Sequence, residues 1–337
     1  MKILHAPVNI AGQLTEISRA QRLLGYQSNV LVFDQEYLNY EADINLNLKK
    51  TDSVFNRVYR IVRNFIECLL TYDVFHFHGG RSLLPYGWDL PIYRLFGKKV
   101  FMQYWGSDCF QYDIAHQYAL FTEKEMAAIF HPQKDENVRS RIKVVQSLVN
   151  ATIVGDPALS PFVPKSKIVL KGVNLEKLKF VGLKPKISHL NLVHAPSRKE
   201  VKGTDIILKT IERLRQEGYK FNFKLIEKQS NEKALEFYRK SDVIIDDVLQ
   251  GPYGILCMEA MALGKPVLCR IDPKLKKFYH NLPVVDSNPD NLYQNLRKIL
   301  GNKKLREKLS RQGRIYMETN HDILKSAKKF IKLYKNA

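Results

Sequence analysis

The feature that most constrains this chain is a regular alternation of short apolar runs with longer amphipathic segments. Val74–His78 has the length and composition of a strand, whereas Val54–Leu70 repeats apolar residues at three- and four-residue steps, as one face of a helix does. Strands that alternate with helices predict an α/β fold with parallel sheets. The alternation restarts after Gly182–Ser188, a Lys/Pro-containing segment that we interpret as an inter-domain linker.

The predicted elements form two units of similar size, as expected for 337 residues, because one core rarely grows past roughly 250–300 residues. In the first unit we predict strands at Lys2–Ala6, Asn29–Phe33, Val74–His78, Lys99–Tyr104, Ala151–Gly155 and Lys167–Lys171, and helices at Leu14–Leu24 and Val54–Leu70. In the second unit we predict strands at Leu190–His194, Phe221–Ile226, Val243–Asp246 and Pro266–Cys269, and helices at Gly203–Glu217, Asn231–Lys240, Ile255–Leu263 and over most of Pro289–Lys335.

The chain is strongly basic, with 54 Lys and Arg against 34 Asp and Glu and a formal net charge of +20. Such a surface attracts nucleic acid, anionic lipid or an anionic substrate, and charge alone does not choose among them. The sequence has no zinc-finger spacing, RRM-type aromatic motif or basic-region zipper, so nucleic acid is not the expected partner. Basic residues concentrate in three places, each of which could equally be a solvated helix face: Arg57/Arg60/Arg63, Lys274/Lys276/Lys277 and Lys303–Lys335.

Two further features limit the class of protein. No apolar run approaches the roughly 20 residues that span a bilayer, and the first residues lack the apolar stretch of a signal peptide. We therefore expect a cytoplasmic protein. The four cysteines have no zinc or redox spacing, which predicts buried reduced thiols: Cys68, Cys109, Cys257 and Cys269.

A strand, a Gly/Pro loop and a helix follow one another between residues 244 and 267. The loop ends at Gly254 and opens a helix, whose first N–H groups have no partner within the helix and whose dipole is positive at that end. Such an end binds a diphosphate, and Gly254 permits close approach of the backbone. Glu259 lies about one turn into the helix, where its carboxylate could accept hydrogen bonds from vicinal hydroxyls such as those of a ribose.

A second strand-to-helix loop carries cations. Arg198, Lys199 and Lys202 follow the predicted strand Leu190–His194. Side chains of this kind neutralise a diphosphate and the charge that builds on it as a bound sugar leaves. Because ligands bind beyond the carboxyl ends of parallel strands, we expect both loops to line one cleft. Together they predict a nucleotide-diphosphate site.

The run from Gly254 to Val267, with Glu-Ala-Met-Ala-Leu-Gly-Lys-Pro-Val intact, resembles the donor-site sequence of retaining glycosyltransferases of family four, the glycosyl transferases group 1. The loop Arg198–Gly203 is similar to theirs. The resemblance covers nearly the whole chain and is strongest over residues 190–267. Weaker similarities lie in the loop at Gly12, the strand Asp73–His78, the segment Gly106-Ser107-Asp108 and the segment Lys171-Gly172-Val173-Asn174-Leu175.

The resemblance implies the GT-B architecture, in which two Rossmann-like domains face each other across a central cleft and a C-terminal helix crosses back to the first domain. We therefore expect an acceptor-side domain at 1–182, a nucleotide-sugar donor domain at 183–315 and a crossing helix at 316–337. It also implies transfer with retention of anomeric configuration, in which the leaving phosphate takes the acceptor proton. No metal or other cofactor is expected, in line with the absence of an Asp-x-Asp sequence, and the co-substrate is a UDP- or GDP-linked sugar.

Roles for individual residues follow from the same resemblance. Glu259 would hold the donor ribose. Arg198 and Lys202 would be the catalytic cations at the departing diphosphate, with Lys199 as a substitute. Gly12 would leave room for donor or acceptor near the centre of the cleft. The other implied donor contacts are Ser197, Tyr253, Gly254, Ile255 and Leu256.

Two positions depart from the family pattern. Many relatives carry two glutamates separated by seven residues, the first of which contacts the transferred sugar, and here Gly251 stands in that first position. Relatives often have a histidine before the Gly-Ser/Thr-Asp segment, and here Trp105 precedes it. These departures leave the sugar unassigned. They are also compatible with a site that binds donor without turning it over.

Polar and aromatic residues after the strands of the first unit are candidates for acceptor or sugar contacts. His76 and His78 share one face of a strand, which is compatible with metal or acid–base chemistry, but the sequence favours ordinary cleft-lining or core histidines. Trp105, Ser107 and Asp108 also follow a strand. Asp108 could equally be a helix N-cap.

The predicted helix Val54–Leu70 bears on the acceptor. It combines a large apolar face with three arginines, and a basic amphipathic helix can lie on an anionic membrane. The sequence nonetheless favours packing of that face into the domain core. Family relatives of similar charge often act on lipid-linked acceptors at the inner face of the membrane, so a lipid-linked or cell-surface glycan precursor is the expected acceptor.

Three functional classes stay open at this stage, with a transferase favoured. An epimerase of the same architecture needs acid–base side chains around the sugar ring, and the sequence offers no clear set of carboxylates. A basic nucleic-acid-binding protein with an incidental α/β fold is the third class, against which the two donor-site loops argue.

Overall fold

The computed structural model describes residues 1–34, 40–49, 51–117, 132–184 and 189–337. Part of the predicted linker, residues 185–188, lies outside the described residues. The chain separates into two compact units. The first contains Met1–Ile114, residues 132–174 and Asp322–Ala337, and the second contains Leu175–His321. The sequence had placed these divisions at residues 182 and 315.

The first unit is built on a parallel sheet in the order β3-β2-β1-β4-β5-β6-β7. Its strands are β1 (Lys2–Ala6), β2 (Gln27–Val32), β3 (Ile44–Asn45), β4 (Val74–His78), β5 (Lys99–Tyr104), β6 (Ala151–Val154) and β7 (Lys167–Ile168). Its helices are α1 (Gln13–Leu23), α2 (Val54–Thr71), α3 (Leu90–Leu95), α4 (Tyr112–Gln117), which ends beyond the unit boundary, α5 (Pro132–Leu148) and, from the end of the chain, α12 (Ile323–Lys335).

Burial on both faces explains why the central strands of this sheet have continuous apolar sequences. All five residues of β4 are buried. On one face, Ile3, Val74 and Phe101 pack with Phe330 and Tyr334 of α12. The C-terminal helix is therefore part of the core of the first unit.

The second unit has a smaller parallel sheet in the order β12-β11-β10-β8-β9. Its strands are β8 (Leu190–His194), β9 (Phe221–Leu225), β10 (Val243–Ile245), β11 (Val267–Cys269) and β12 (Val285–Asp286). Its helices are α6 (Lys199–Lys202), α7 (Thr204–Gln216), α8 (Asn231–Lys240), α9 (Ile255–Ala262), α10 (Leu292–Gly301) and α11 (Lys303–Asn320).

Helix α9 is apolar on nearly all sides, which requires burial on nearly all sides. Every residue from Cys257 to Ala262 is buried. Gly313 of α11 lies against it, because a Cβ added at Gly313 would be 3.4 Å from the Cα of Met261. This close contact fixes α9 firmly, and with it the loop that precedes the helix.

The predicted α/β fold with two Rossmann-like domains is confirmed. The four cysteines are free and buried, as predicted. The predicted helix is present as α2, but the prediction that its apolar face packs into the core was wrong in part: Phe65, Cys68 and Leu69 are buried, whereas most of the other apolar residues are exposed. The physical reason is that the apolar residues extend along the whole helix and over about half of its circumference, and the core covers only the part near Phe65 and Leu69.

Candidate functional site

Each sheet has one place where the chain order reverses, and ligands of doubly wound proteins bind beyond the strand ends at such a place. In the first unit the reversal lies between β1 and β4. In the second unit it lies between β8 and β10. The loops that leave β8 and β10 are the two predicted donor-site loops, residues 195–203 and 246–254. The topology therefore brings both loops to one switch point.

The loop after β8 is anchored at both ends by a buried histidine that the sequence analysis did not single out. Nδ1 of His194 donates a hydrogen bond to the carbonyl of Ile245 in β10, over 2.8 Å. Its Nε2 lies 2.9 Å from Oγ1 of Thr204, the first residue of α7, and accepts from that hydroxyl. Burial lowers the pKa of His194, which keeps the ring neutral in this arrangement.

Gly203 lets the two loops meet. Its φ is +72°, a conformation that favours glycine, and an added Cβ would lie only 2.6 Å from Cγ2 of Val248. Any larger residue would push the loop after β10 away from the loop after β8.

Lys202 joins the same two loops by ion pairs. Its Nζ lies 3.3 Å from Oδ1 of Asp246 and 3.3 Å from Oδ2 of Asp247. Burial opposes the charge of Lys202, but the two carboxylates outweigh burial and raise its pKa above the usual range. The Lys202 charge is therefore already neutralised by protein carboxylates. The Asp-Asp pair directly after a strand was the sequence signal for this cluster.

The other cations of the loop differ from Lys202 in exposure. Ser197, Arg198 and Lys199 are all exposed. Nζ of Lys199 lies 2.8 Å from Oε1 of Glu227. The side chain of Arg198 has no hydrogen bond or ion pair with any residue that the structure describes. Of the three predicted cations, Arg198 is the one whose charge stays available to a ligand.

The N-terminus of α9 is open. Gly254 is the N-cap residue, and within the described chain no side chain caps this helix end. A Cβ at Gly254 would lie 3.8 Å from Oδ2 of Asp246 and 3.9 Å from Nζ of Lys202, both ordinary contact distances. Gly254, Ile255 and Leu256 are partly exposed. Backbone N–H groups at this end can therefore be approached closely by an anion.

Tyr253 differs from its neighbours because its side chain is buried. Its hydroxyl lies 2.7 Å from Nε2 of His321, and its ring packs edge-on against Tyr279, with ring centroids 4.8 Å apart. The side chain therefore anchors the loop to the end of α11. The structure does not place this side chain in the exposed part of the predicted donor site.

Glu259 is buried about one turn inside α9 and is held by one neighbour. Nδ2 of Asn231, at the start of α8, donates to Oε1 of Glu259 over 2.9 Å. Burial raises the pKa of Glu259 to about 7, against an ordinary value of 4.5. The sequence analysis did not identify Asn231 as its partner, since 28 residues separate the two.

The packing around Gly251 leaves no room for a glutamate side chain. A Cβ on Gly251 would clash with the Cβ of Asp272, and the backbone nitrogen of Asp272 would lie 3.1 Å from it. That nitrogen also donates a hydrogen bond to the carbonyl of Gly251, over 3.2 Å. A glutamate at 251 would require the segment after β11 to move.

These loops and α9 belong to one region of sequence that matches a known family. Residues 195–316 match the family model of glycosyl transferases group 1. The match covers most of the second unit, which is therefore similar in sequence to group 1 glycosyltransferases. The match includes Arg198, Lys202, Gly254 and Glu259. No curated protein matches the chain by sequence comparison.

Solved structures show a likeness of fold that extends over both units. Sucrose-phosphate synthase (tll1590) from Thermosynechococcus elongatus aligns with a TM-score of 0.69 at 16% identity, over 100% of this chain and 99% of that one. HepE (Alr3699) from Anabaena, solved in complex with UDP-glucose, aligns with a TM-score of 0.65 at 11% identity, over 100% of each chain. The predicted GT-B fold is confirmed.

The same architecture also occurs in another enzyme class. A Listeria monocytogenes protein assigned as a UDP-N-acetylglucosamine 2-epimerase aligns with a TM-score of 0.54 at 15% identity, over 98% of this chain and 94% of that one. The fold is thus common to transferases and epimerases. The family model over residues 195–316 is the comparison that favours a glycosyltransferase.

In the first unit, the predicted acceptor residues His76 and His78 are fully buried in the core. Nδ1 of His76 lies 2.6 Å from the hydroxyl of Tyr334 in α12. Burial lowers the pKa values of His76 and His78 well below the usual range, so both rings are neutral. This placement agrees with the core interpretation of these residues.

A directed hydrogen-bond chain runs through this core. The indole N–H of Trp105, which can only donate, bonds to Nδ1 of His78 over 3.2 Å. Neutral His78 then carries its proton on Nε2 and donates to Nδ1 of His5, over 3.1 Å. His5 in turn donates from Nε2 to Oε1 of Gln21, over 2.9 Å. These hydrogen bonds fix one tautomer for His78 and one for His5, and they orient Trp105.

The directions of these hydrogen bonds also decide whether the three histidines can bind a metal ion. Possible ligand atoms of His5, His76 and His78 lie within 4.8 Å of one another. In the hydrogen-bond chain, however, Nε2 of His78 carries a proton and the lone pair on Nδ1 of His5 accepts it. The donor set therefore does not fit a metal ion in this arrangement.

The remaining predicted residues of the first unit form local structure at the strand ends. The carboxylate of Asp108 accepts hydrogen bonds from the backbone nitrogens of Trp105, over 3.0 Å, and Gly106, over 2.7 Å. Asp108 thus closes a turn, and no helix starts there. Trp105 is partly exposed and Ser107 is exposed.

Gly12 precedes α1 and has a φ of +72°. A Cβ added at this position would lie 2.6 Å from Cε1 of Tyr40. The space beside Gly12, which the sequence analysis reserved for donor or acceptor, holds the ring of Tyr40 in this structure.

Proposed function

We propose that this group 1 glycosyltransferase moves a hexose from a UDP- or GDP-linked sugar to a glycan acceptor, with retention of the anomeric configuration. The observation that carries the proposal is the grouping at the β8/β10 switch point. An open helix N-terminus at Gly254, an exposed unpaired cation at Arg198 and a buried carboxylate at Glu259 all belong to that grouping. These groups suit the diphosphate and the ribose of one donor molecule.

In this proposal, catalysis comes from binding and charge. The diphosphate lies at the N-terminus of α9, where the N–H groups and helix dipole stabilise it. Arg198 neutralises the charge that develops as the sugar leaves. The leaving phosphate takes the acceptor proton, so the reaction uses neither a dedicated carboxylate base nor a bound metal or other cofactor. Lys202, whose charge Asp246 and Asp247 neutralise, positions the two loops.

We further propose that the acceptor is a lipid-linked or cell-surface glycan precursor, so that the enzyme serves polysaccharide biosynthesis at the inner face of the cell membrane. The net charge of +20 supports attraction to an anionic surface. No helix within the described ranges is long and apolar enough to cross a bilayer. We propose that the association with the membrane is peripheral.

An epimerase is the second candidate, because the same architecture includes one. Epimerisation moves a proton at the sugar ring and needs acid–base side chains there. Asp246 and Asp247, carboxylates close to Gly254, are paired with Lys202. Incubation of the chain with nucleotide sugars in the absence of acceptor distinguishes the two activities. An epimerase produces a new epimer, and a transferase does not.

A thermal-shift screen against nucleotide sugars tests the proposal, because a ligand that binds the native state raises its stability by about 2.7 kcal/mol at a hundred times Kd. At least one UDP- or GDP-linked sugar should raise the Tm. Glu259→Ala should reduce the shift, whereas Glu236→Ala, which removes an exposed glutamate of α8, should keep it in full. A flat response to the whole panel, or an intact shift in Glu259→Ala, contradicts the proposal.

A further inference from the structure

Helix α2 carries an exposed apolar stripe. Phe55, Tyr59, Val62, Ile66 and Leu70 are spaced by three or four residues and therefore share one face of the helix. Their exposure ranges from 39% for Val62 to 79% for Phe55. Isolated exposed apolar residues are common on protein surfaces, but a continuous row of five marks a surface that binds something.

This stripe is separate from the face that α2 packs on its own unit. Phe65, Cys68 and Leu69 are the residues of α2 that are buried. A helix that covers a sheet normally presents polar residues on its outer side. Here an apolar stripe is centred about 100° around the helix from the buried residues, beside the polar outer side, so the core of the first unit does not account for it.

Arginines border the apolar residues of α2 on both sides: Arg63 lies next to the stripe, and Arg57 lies beyond Val54 and Val58, which are 76% and 52% exposed. α2 contains Arg57, Arg60 and Arg63 and a single acidic residue, Glu67, which pairs with Arg63 over 2.9 Å. The side chain of Arg57 is exposed and has no hydrogen bond or ion pair among the residues described. An apolar face flanked by arginines is the pattern of helices that lie in the interface of an anionic bilayer.

Further exposed aromatic residues lie near α2. Tyr86 is 90% exposed and Trp88 is 67% exposed, with ring centroids 5.8 Å apart. They precede α3, which packs beside α2 through Tyr93 and Phe65, with ring centroids 5.5 Å apart. Tyr and Trp are the residues preferred at the boundary between lipid and water.

The position of α2 relates the stripe to the acceptor side of the enzyme. The chain leaves β3 at its carboxyl end and enters α2, and Arg60 donates to the carbonyl of Asn47 over 3.1 Å. The N-terminal turns of α2, with Phe55, therefore lie at the carboxyl edge of the first sheet. Trp105 follows β5 at that same edge, because all strands of the sheet are parallel.

We infer that α2 docks the enzyme on an anionic lipid bilayer. The stripe inserts among the acyl chains, the arginines meet the lipid phosphates, and the carboxyl edge of the first sheet is held near a membrane-bound acceptor. This inference rests on the proposed function and names the surface through which its acceptor is reached. A symmetric dimer through the same face is disfavoured, because it brings the arginine flanks of two strongly basic chains together.

Sedimentation of the full-length chain with lipid vesicles tests the inference. Vesicles of phosphatidylcholine alone are compared with vesicles that contain 30% phosphatidylglycerol. Binding should rise with the anionic lipid. Phe55→Ser and Arg57→Glu should each weaken it by about tenfold or more, since apolar contact and each basic charge contribute separately. Both residues are exposed, so the variants should keep the wild-type Tm.

Two matched controls make the test specific. Leu23→Ser removes an apolar side chain of similar exposure, 73%, from α1. Lys308→Glu makes the same change of charge as Arg57→Glu, at an exposed residue of α11. Both should bind vesicles like the wild type. Equal losses in the controls and the α2 variants, absence of binding to anionic vesicles, or a dimer that Phe55→Ser dissociates would each overturn the inference.

The outcome is separable from that of the proposed function. Vesicle binding requires no nucleotide sugar, and the thermal shift by nucleotide sugar requires no membrane. If docking fails, Arg57→Glu and the wild type still respond equally to the donor. If the donor assignment fails, the difference between Phe55→Ser and Leu23→Ser in vesicle binding remains.

Discussion

The ammonium of Lys202 lies 3.3 Å from a carboxylate oxygen of Asp246, and this ion pair joins the loop after β8 to the end of β10. Removal of one partner from a buried pair leaves the other charge uncompensated, which costs about 3–5 kcal/mol. We therefore expect Lys202→Met to lower the free energy of unfolding by about this amount in a denaturant titration. A Lys202→Met variant as stable as the wild type would show that the residue is a free ligand-binding cation.

Substitution of Arg198 should weaken ligand binding and leave the free energy of unfolding unchanged. Loss of a hydrogen bond to a charged group costs about 1.5–3 kcal/mol, so Arg198→Ala should weaken binding of a nucleoside diphosphate by roughly 10- to 100-fold. Its stability should be unchanged, because Arg198 is exposed and unpaired within the described structure. Calorimetric titration measures the affinity, and the uncharged nucleoside serves as the control ligand, which should bind both proteins equally. Arg215→Ala, which removes an exposed arginine of α7, is the matched control variant. Equal diphosphate affinities in wild type and Arg198→Ala would contradict the assignment.

Glu259 should make stability depend on pH. Its folded pKa of about 7 lies above the ordinary 4.5, so between these values the folded state holds the proton more tightly than the unfolded state. The stabilisation by this group is therefore complete below about pH 4.5 and is lost as pH rises to about 7. Glu259→Gln removes this dependence, and its stability relative to the wild type should increase by about 3 kcal/mol from pH 4.5 to 8. Denaturant titrations at several pH values measure it, and a pH-independent difference would refute the buried-carboxyl account.

A comparison of alanine variants at Gly203 and Gly218 separates the cost of backbone strain from the cost of a steric clash. Both have positive φ, +72° and +85°, but a Cβ at Gly218 meets nothing within 4 Å, whereas one at Gly203 meets Val248. Gly218→Ala should cost about 1–2 kcal/mol for backbone strain alone. Gly203→Ala should cost about 1–3 kcal/mol more, for the clash with Val248. Equal unfolding free energies for the two variants would mean that the loops are not packed as described.

The strands that carry the site were predictable because their apolar runs are distinct. β1, β4, β5 and β8 begin and end at the predicted residues. β3 and β12 have two residues each, too few for a periodic pattern, and the sequence analysis did not find them. The error at α2 has a different cause. Its apolar residues cover about half of the helix circumference, and sequence alone does not say which part the core covers.

Within the candidate site, the sequence identified residue types but not their partners. Arg198 and Lys202 look equivalent in sequence, and the difference between them comes from Asp246, 44 residues from Lys202. The carboxylate of Glu259 was predictable from its place in α9, whereas its raised pKa depends on burial in the fold. Gly251 was visible as a departure from the family pattern. Its cause, the backbone of Asp272, is a tertiary contact.

The central claim is that Glu259 holds the ribose of a nucleotide whose diphosphate lies at the N-terminus of α9. A calorimetric titration of wild type and Glu259→Ala with a nucleoside diphosphate and its 2′,3′-dideoxy form tests this claim most directly. The uridine or guanosine series is used, according to which one stabilises the protein. In the wild type, loss of the hydroxyls should weaken binding by about tenfold or more, since the hydrogen bonds between the ribose and Glu259 are lost. In Glu259→Ala, the two nucleotides should bind equally. The same loss in both proteins would contradict the account.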